Sequence, residues 1–323
     1  MKIAIAGAGM SGAYMYRLLK ERGFDQVDLY DVKRTTRCGR HPCAWGMSPS
    51  AEYRRLVSRF ADPDKFIMLR TTEVSIEGVK MPGDVVTVDK PALLDDLTGG
   101  VPIFYSPIQT QEYDRVIDAT GAERAYLGPM DGQDFVADTI QYRIRSPQDL
   151  GMRFNLNSIG YEWCFPLGNG EYHVGFGNLK ASTAEYQLSI SFDPSERVTR
   201  CKCLSKIRLT SPLSSQPFYR GNVVGVGEAV GAVGPIAGDG NLYAMQTAEM
   251  LMDDWDRPER YARAVLKKYR WMHKERLALE RLLGGHMPTL SNALTFKQHC
   301  KRAGIKMTVP HIVSLFRKML DSS

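Results

Sequence analysis

The chain has 323 residues, 43% of them hydrophobic and 10% aromatic, which suits a globular protein of two domains or of one domain with a large insertion. No apolar run approaches the roughly 20 residues that cross a bilayer, and residues 2–6 already form a predicted strand, so we expect no signal peptide and a cytoplasmic protein. The net charge of +6 is unevenly distributed and the six cysteines match no zinc spacing; we expect no metal ion and no nucleic-acid partner.

The first residues predict a dinucleotide-binding loop. A strand at residues 2–6 leads directly into Gly7, Gly9 and Gly12, and a helix and a second strand at residues 27–30 follow. Gly7 permits a tight turn, Gly9 lets the backbone approach a pyrophosphate, and Gly12 lets helix and strand pack closely. The alternative is a tight strand–helix turn without a ligand.

Two further features complete this unit. The helix begins at Met10 and Ser11, and its N-terminal N–H groups and positive dipole end would face the phosphates. Asp31 ends the second strand, where its carboxylate can bind both ribose hydroxyls and would repel a 2′-phosphate. The nucleotide is therefore expected to be FAD or NAD rather than NADP.

The next segments predict a helix and a group of short strands. Ser50 is the predicted N-cap of a helix that runs through Phe60. Residues 66–89 predict short strands, with turns at 77–78 and 82–84.

The following segment again predicts a helix and a strand. Lys90 and Pro91 begin a predicted helix over residues 92–97. Residues 113–121 then predict a strand that ends in a turn of small residues at Thr120 and Gly121.

The middle of the chain predicts an antiparallel sheet followed by a return to buried parallel strands. Alternating stretches between residues 125 and 219, such as 171–176 and 186–192, predict the sheet. Residues 222–229 then predict a buried strand, residues 231–240 a glycine-rich loop, and residues 242–255 a helix.

The last part of the chain predicts helices, interrupted at 284–285 and at Gly304, with Pro310 in the first turn of the final one. In that helix Ile312, Leu315, Phe316, Met319 and Leu320 share one face, which is more often a core contact than a membrane anchor.

This C-terminal part is also strongly basic. Residues 257–323 hold 15 Lys and Arg against 4 Asp and Glu, a charge of +11 that leaves about −5 for the remainder. Such a segment could face an anionic membrane surface, a phosphate-bearing substrate or an acidic protein, or be a solvated helical face.

Three of these elements together resemble the two-domain flavoproteins of the p-hydroxybenzoate hydroxylase type: the glycine loop, the strand at 116–121, and Gly227-Glu228 with the loop and helix that follow. The resemblance implies that the second element crosses near the adenine half of FAD, and that the third carries the ribityl chain and aims a helix N-terminus, near Asn241, at the flavin pyrimidine. The implied cofactor-binding residues are Gly7, Gly9, Met10, Ser11, Gly12, Asp31, Lys90, Thr120, Gly121, Gly227, Glu228, Gly238, Gly240 and Asn241.

A further motif is similar to the Y-x-W-x-F-P signature of geranylgeranyl reductases. Tyr161, Trp163, Phe165 and Pro166 supply it, and residues 174–177 follow with V-G-F-G. The resemblance implies reduction of isoprenoid C=C bonds by reduced FAD, with these four as substrate-binding residues. An aromatic cluster over the flavin would make an apolar pocket suited to a prenyl chain, although such a cluster is more often plain core.

The same family resemblance implies two candidate catalytic residues. Residues 41–46 are similar to the P-x-x-C-type loop near the flavin, with Cys43 as the matching thiol. Cys43, Tyr161 or a water could supply the proton that accompanies hydride transfer. The resemblance covers about residues 1–255, and this chain has Glu228 where the family usually has Asp and Lys90 where it commonly has Arg.

The expected fold class is α/β, with a Rossmann-like FAD-binding domain of the glutathione reductase and p-hydroxybenzoate hydroxylase type, an antiparallel-sheet substrate domain and a short helical C-terminal region. Residues 1–124, with inserted strands at about 62–89, and residues 220–256 are assigned to the FAD-binding domain. Residues 125–219 are assigned to the substrate domain, and residues 257–323 to the basic helical region.

We therefore expect an FAD-dependent reductase of prenyl C=C bonds that holds its flavin non-covalently and acts in the cytoplasm. Peripheral membrane contact through the basic region is one of the options given above for that region. Only one dinucleotide fingerprint is present, so the reductant would be NAD(P)H bound transiently, or a ferredoxin-like protein. The alternatives are an FAD monooxygenase, a non-catalytic flavin- or lipid-binding relative, and, weakest, an NAD-dependent dehydrogenase.

Overall fold

A computed structural model of the chain describes residues 1–33, 45–157, 160–179, 203–284, 286 and 289–321. Two sheets organise this structure. The predicted segment at 186–192 and Cys43 lie outside the described residues, as do Cys38 and Cys201.

The first sheet has six strands in the order β13-β14-β7-β1-β2-β6. Its inner pairs are parallel, and β13 alone runs antiparallel, to β14. The strands are β1 (Ile3–Ala6), β2 (Val27–Tyr30), β6 (Ile103–Phe104), β7 (Arg115–Asp118), β13 (Tyr219–Arg220) and β14 (Val223–Gly225). Because both faces are covered, β1 is buried at all four of its residues, as parallel strands usually are.

The helices around this sheet are α1 (Met10–Glu21), α3 (Lys90–Thr98), α4 (Asn241–Asp253) and α5 (Pro258–Lys268). The buried residues of α1 and α4 belong to the same hydrophobic core as β1. The Tyr261 hydroxyl of α5 donates to the carbonyl of Gly225 at 2.8 Å, which ties α5 to the end of β14.

The second sheet has eight strands in the order β12-β8-β11-β10-β9-β4-β5-β3. Its strands are β3 (Gly46–Met47), β4 (Ile67–Ile76), β5 (Val79–Val88), β8 (Val136–Arg145), β9 (Met152–Asn157), β10 (Gly160–Gly168), β11 (Glu171–Asn178) and β12 (Cys203–Arg208). The pairs are antiparallel except for β4 with β9. Residues 67–88 therefore extend the sheet that was predicted for residues 125–219.

Two local predictions before residue 90 are wrong. The helix α2 (Ser50–Val57) has Pro49 as its N-cap and ends three residues before Phe60. Ser50 is the first helical residue, and its hydroxyl donates to the carboxylate of Asp84 at 2.6 Å. The side chain therefore joins α2 to β5 and does not cap the helix.

The predicted turn at 82–84 lies inside β5. Thr71 pairs with Val85 but Glu73 pairs with Pro82, so β5 carries one extra residue, a β-bulge that accommodates the proline. The backbone of this stretch pairs outside the hairpin: Asp84 N–H donates to the Gly304 carbonyl. The only turn of this hairpin in the structure is at 77–78, as predicted.

The C-terminal residues fold back over β4 and β5. The helices are α6 (Arg270–Leu283), α7 (Leu290–Arg302) and α8 (Val309–Asp321), with breaks at Gly284 and Gly304 as predicted. Cys300, Ile305 and Leu315 are buried in one cluster with residues of β4 and β5, so the predicted apolar face of α8 packs against the protein at Leu315. Among the described helices, none combines the length and the hydropathy that a bilayer crossing requires.

We expect Gly12→Ala to destabilise the protein by about 1–3 kcal/mol, although Gly→Ala within a helix ordinarily stabilises it. A Cβ atom at position 12 would lie 1.8 Å from the Gly7 carbonyl oxygen, so helix and turn would have to separate. Urea unfolding measures the change, with Lys20→Ala, exposed on the same helix, as the control. A midpoint at or above that of the wild type would contradict this close packing.

Candidate active site

The carboxyl ends of the parallel strands open into a cavity of about 570 Å³. Ligands in open α/β folds bind at this edge of the sheet. Twelve of the fourteen predicted cofactor-binding residues line the cavity: Gly7, Gly9, Met10, Ser11, Asp31, Lys90, Thr120, Gly121, Glu228, Gly238, Gly240 and Asn241.

The other two predicted residues, Gly12 and Gly227, lie behind the wall of this cavity. Gly12 lets α1 approach Gly7, as described above. Gly227 has φ +65°, donates its N–H to the Thr247 hydroxyl at 2.8 Å, and would place a Cβ atom 2.9 Å from Ser11 Oγ. Both glycines therefore shape the cavity from outside.

Two helices point their N-termini at the cavity. The N-caps of α1 and α4 are Gly9 and Gly240, neither helix has a side-chain cap, and neither has an acidic residue in its first turn. The first backbone N–H groups of each helix face the end of the helix, where the helix dipole favours a negative charge. An anionic dinucleotide fits this arrangement.

Asp31 sits at the rim of the cavity, at the carboxyl end of β2. Its backbone N–H donates to the Phe104 carbonyl at 2.9 Å, and its carboxylate accepts the Val32 N–H at 2.8 Å. These bonds fix the position of the side chain at the strand end, where the carboxylate can meet ribose hydroxyls.

Asp118, which the sequence reasoning missed, organises the loop after β7. Its fully buried carboxylate accepts hydrogen bonds from the Thr120 N–H and hydroxyl and from the N–H groups of Tyr126 and Leu127, at 2.6–3.1 Å. An acid directly after the apolar residues Val116 and Ile117 of a predicted strand was the available signal. It positions Thr120 and Gly121 on the cavity.

Glu228 is a half-buried acid in the wall of the same cavity. Its Oε1 accepts the backbone N–H of Arg208 at 2.6 Å, and a Cβ atom on Gly121 would lie 3.2 Å from its Oε2. Burial raises the pKa of Glu228 to about 7, against the opposing effect of Arg208 and Lys90. This carboxyl can therefore gain or lose a proton near neutral pH.

A second, apolar cavity of about 120 Å³ adjoins the first. The two share Ile207, Gly238, Gly240 and Asn241 as lining residues, so the loop at 238–241 is their common wall. Three of the four signature residues, Tyr161, Trp163 and Phe165, line the apolar cavity. The fourth, Pro166, does not line it; its carbonyl accepts the Thr87 hydroxyl at 2.7 Å.

Glycines on β11 let the signature aromatics lie flat against the sheet. Trp163 pairs with Gly175 and Tyr161 with Gly177. A Cβ atom on Gly175 would lie 2.3 Å from the Trp163 ring. The Trp163 Nε1–H donates to Gln141 at 3.1 Å, which fixes the ring on the cavity.

The Tyr161 hydroxyl lies where the two cavities meet. It is buried without a hydrogen-bond partner among the described residues, and a Cβ atom on Gly238 would lie 2.1 Å from it. Burial, with Asp239 and Glu228 nearby, raises its pKa above the ordinary value. A ligand reaching this point would find an unengaged hydroxyl.

The opposite wall of the apolar cavity comes from the C-terminal region. Phe296, His299 and Cys300 of α7, with Ala303 and Ile305 beyond it, line the cavity. The sequence analysis missed these residues because, in this region, it considered only the charge and the apolar face of the final helix. The signal was the apolar and buried side of α7, which carries Cys300 and Phe296 four residues apart.

No family model matches the sequence. An uncharacterised protein of Methanocaldococcus jannaschii is 27% identical, over 86% of this chain and 91% of the relative. A geranylgeranyl bacteriochlorophyll reductase-like protein of Thermoplasma acidophilum superposes with a TM-score of 0.68 at 16% identity, covering 97% of this chain and 94% of that one.

Two further solved structures share the fold. A probable FAD-dependent monooxygenase of Pseudomonas aeruginosa has a TM-score of 0.60 at 14% identity, over 92% of this chain and 99% of its own. A tryptophan 6-halogenase of Streptomyces toxytricini has a TM-score of 0.64 at 13% identity, covering 98% of this chain and 84% of the halogenase. The predicted α/β fold class of the Rossmann-like flavoproteins is confirmed.

Glu228 predicts a pH dependence of stability. The folded protein holds this proton up to a pKa of about 7 and the unfolded chain only to the ordinary value of 4.5. Its contribution to stability is therefore complete below pH 4.5 and is lost as the pH rises through 7. We expect Glu228→Gln to remove this loss and raise the free energy of unfolding at pH 8 by about 1–3 kcal/mol.

Urea unfolding of the ligand-free protein at pH 5 and pH 8 measures this effect. Glu123→Gln, which changes an exposed carboxylate on the same cavity, is the matched control and should follow the wild type. Equal pH dependence in the wild type and Glu228→Gln would contradict the raised pKa.

Proposed function

We propose that the protein is an FAD-dependent oxidoreductase that reduces C=C bonds of a prenyl chain. The observation that carries the proposal is the apolar cavity lined by Tyr161, Trp163 and Phe165, which shares a wall with the dinucleotide cavity. A ligand in the smaller cavity would lie next to a cofactor held in the larger one, in surroundings that suit a hydrocarbon chain.

The residues of the larger cavity fit FAD. The N-terminus of α1 at Met10 and Ser11 would bind the pyrophosphate, and Asp31 the ribose hydroxyls. The N-terminus of α4 at Asn241 would face the flavin pyrimidine and favour negative charge there. The proposed binding is non-covalent. Reduced FAD supplies a hydride to the substrate.

The signature residues would orient the substrate and exclude water. Trp163 is held by Gln141, so its ring presents a fixed apolar surface to the cavity. Phe165 contacts Phe154 edge to face, with ring centroids 5.6 Å apart, and both rings line the cavity. The predicted role of Cys43 as a proton donor remains a prediction, since it lies outside the described residues.

The similarity in fold supports the proposed reductase activity and is also consistent with one alternative activity. One of the similar structures is a geranylgeranyl bacteriochlorophyll reductase-like protein, whereas another is a probable FAD-dependent monooxygenase. The aromatic signature favours the reductase for this chain. For the reductant, we propose NAD(P)H bound transiently or a ferredoxin-like protein that docks on the basic surface.

The purified protein is expected to carry FAD, identified by its absorption spectrum and by mass analysis of the ligand that heating releases. We expect Asp31→Ala to weaken FAD binding about 10- to 100-fold, because two hydrogen bonds from ribose hydroxyls to a carboxylate are lost. Asp25→Ala, an exposed acid beyond α1, is the control. A colourless protein that takes up no added FAD would refute the cofactor.

The reduced enzyme is expected to saturate geranylgeranyl lipids without oxygen. Ala303→Leu places three more carbons in the apolar cavity, so we expect kcat/KM for the lipid to fall at least about tenfold while FAD content stays constant. Ala51→Leu, exposed on α2, is the control. Product analysis under anaerobic conditions measures the rate.

Two other outcomes would favour the alternatives. Rapid oxygen consumption stimulated by substrate would indicate a monooxygenase. Bound flavin that neither dithionite nor any physiological donor reduces would indicate a non-catalytic relative.

A further inference from the structure

A buried polar cluster borders the apolar cavity on the side of the C-terminal helices, and the proposed function has so far given it no role. Glu275 of α6 is fully buried and His299 of α7 is 4% exposed. His299 Nδ1 lies 3.2 Å from each carboxylate oxygen of Glu275, and Arg302 lies 2.5 Å from Glu275 Oε1. The guanidinium of Arg302 also stacks on Trp271, 3.9 Å from the ring centroid.

This geometry fixes the tautomer and the orientation of the imidazole. With a carboxylate at Nδ1, the ring donates Nδ1–H to Glu275. Because His299 lines the apolar cavity, Nε2 is the ring nitrogen left for a molecule bound there. Arg302 supplies a counter-charge to the buried carboxylate, so the cluster does not leave Glu275 as an isolated charge.

The charges around His299 favour its protonated form. Burial and the charge of Arg302 disfavour the imidazolium. The charge and the hydrogen bond of Glu275 favour it, as does the charge of Asp239, and these effects are the larger. The pKa of His299 therefore lies above its ordinary value. The imidazolium then presents Nε2–H to the cavity.

Asp239 is a second acid on the same apolar cavity. It lies in the 238–241 loop between the two cavities, accepts a hydrogen bond from Tyr243, and interacts with the His299 charge. Burial raises the pKa of Asp239 to about 6. Asp239 can therefore exchange a proton with its surroundings at pH values where an exposed aspartate is fully ionised.

Two other protic groups of this cavity are poorer acids at neutral pH. Burial raises the pKa of the Cys300 thiol to about 12. Burial likewise raises that of the Tyr161 hydroxyl above its ordinary value. Asp239, with a pKa of about 6, is largely ionised at pH 7. Among the described residues that line the cavity, His299 is the group that combines a positive charge with a labile proton.

We propose that His299 is the proton donor of the reaction, with Glu275 as the residue that positions it. This inference rests on the proposed function. The C=C π bond breaks: one carbon receives the hydride of reduced FAD, and the other receives the Nε2 proton. FAD is left oxidised and His299 neutral, and solvent then returns a proton to the imidazole, with Asp239 of the same cavity as an intermediate carrier.

His299→Asn tests the donor directly, because asparagine keeps a hydrogen-bonding group but does not titrate. We expect the rate of substrate reduction by the pre-reduced enzyme to fall about 100-fold, with FAD content and flavin reduction by dithionite unchanged. In the wild type the rate should fall as the pH rises through the pKa of His299, and this alkaline limb should be absent in His299→Asn. His286→Asn, an exposed histidine, is the matched control.

Histidine NMR of the purified holoenzyme tests the positioning role without substrate. The His299 imidazole signal, assigned by its loss in His299→Asn, should titrate above the ordinary value for histidine. Glu275→Gln should lower this titration by about one pH unit or more, and should move the alkaline limb of the rate in the same direction. If Glu275→Gln does not fold, Arg302→Met is the second variant. It removes a cation that disfavours the imidazolium, so it should raise the pKa of His299.

The reaction of the wild-type enzyme with the lipid is measured first, and it tests the proposed function. The differences between the variants and the wild type then test the role of His299. A His299→Asn enzyme with the wild-type rate and pH profile would overturn it. Loss of the alkaline limb in Tyr161→Phe but not in His299→Asn would also overturn it. So would a pKa of His299 that is the same in Glu275→Gln as in the wild type.

Discussion

The loop that joins β14 to α4 is the constraint on which the site depends. Gly234 donates to the Asp239 carbonyl and Gly238 donates to the Gly234 carbonyl, both at 2.8 Å, so the loop closes on itself. Gly238 has φ +64°, and its missing Cβ leaves room for the Tyr161 hydroxyl. This folded loop is thin enough to serve as a shared wall, with a cofactor-sized cavity on one side and an apolar cavity on the other.

The nucleotide half of the site could be predicted from sequence because its signals are local. Gly7, Gly12 and Asp31 stand at fixed distances along one strand–helix–strand unit, and each spacing reflects a steric or hydrogen-bonding requirement within that unit. The start of α4 at Asn241 was predictable for the same reason, since a glycine-rich loop directly before a helix marks its N-terminus.

The parts that could not be predicted depend on contacts between distant segments. Pro82 and Asp84 look like turn residues, but the bulge in β5 and the pairing with Gly304, more than 200 residues away, keep them in the sheet. Ser50 looks like a helix cap until Asp84 is brought beside it. Periodicity and turn chemistry describe neighbours along the chain and hold no information on which strand edge a later segment will cover.

The basic charge of the C-terminal region is partly used inside the protein. Arg302 neutralises Glu275 beside the apolar cavity, and Arg276, 5% exposed, donates to the carbonyls of Gln133 and Thr210 and pairs with Glu280. Arg276 thus joins α6 to the segments next to β8 and β12, and Arg302 joins α7 to α6, which together hold His299 on the cavity. Part of the charge excess that suggested a surface for partners therefore helps to build one wall of the apolar cavity.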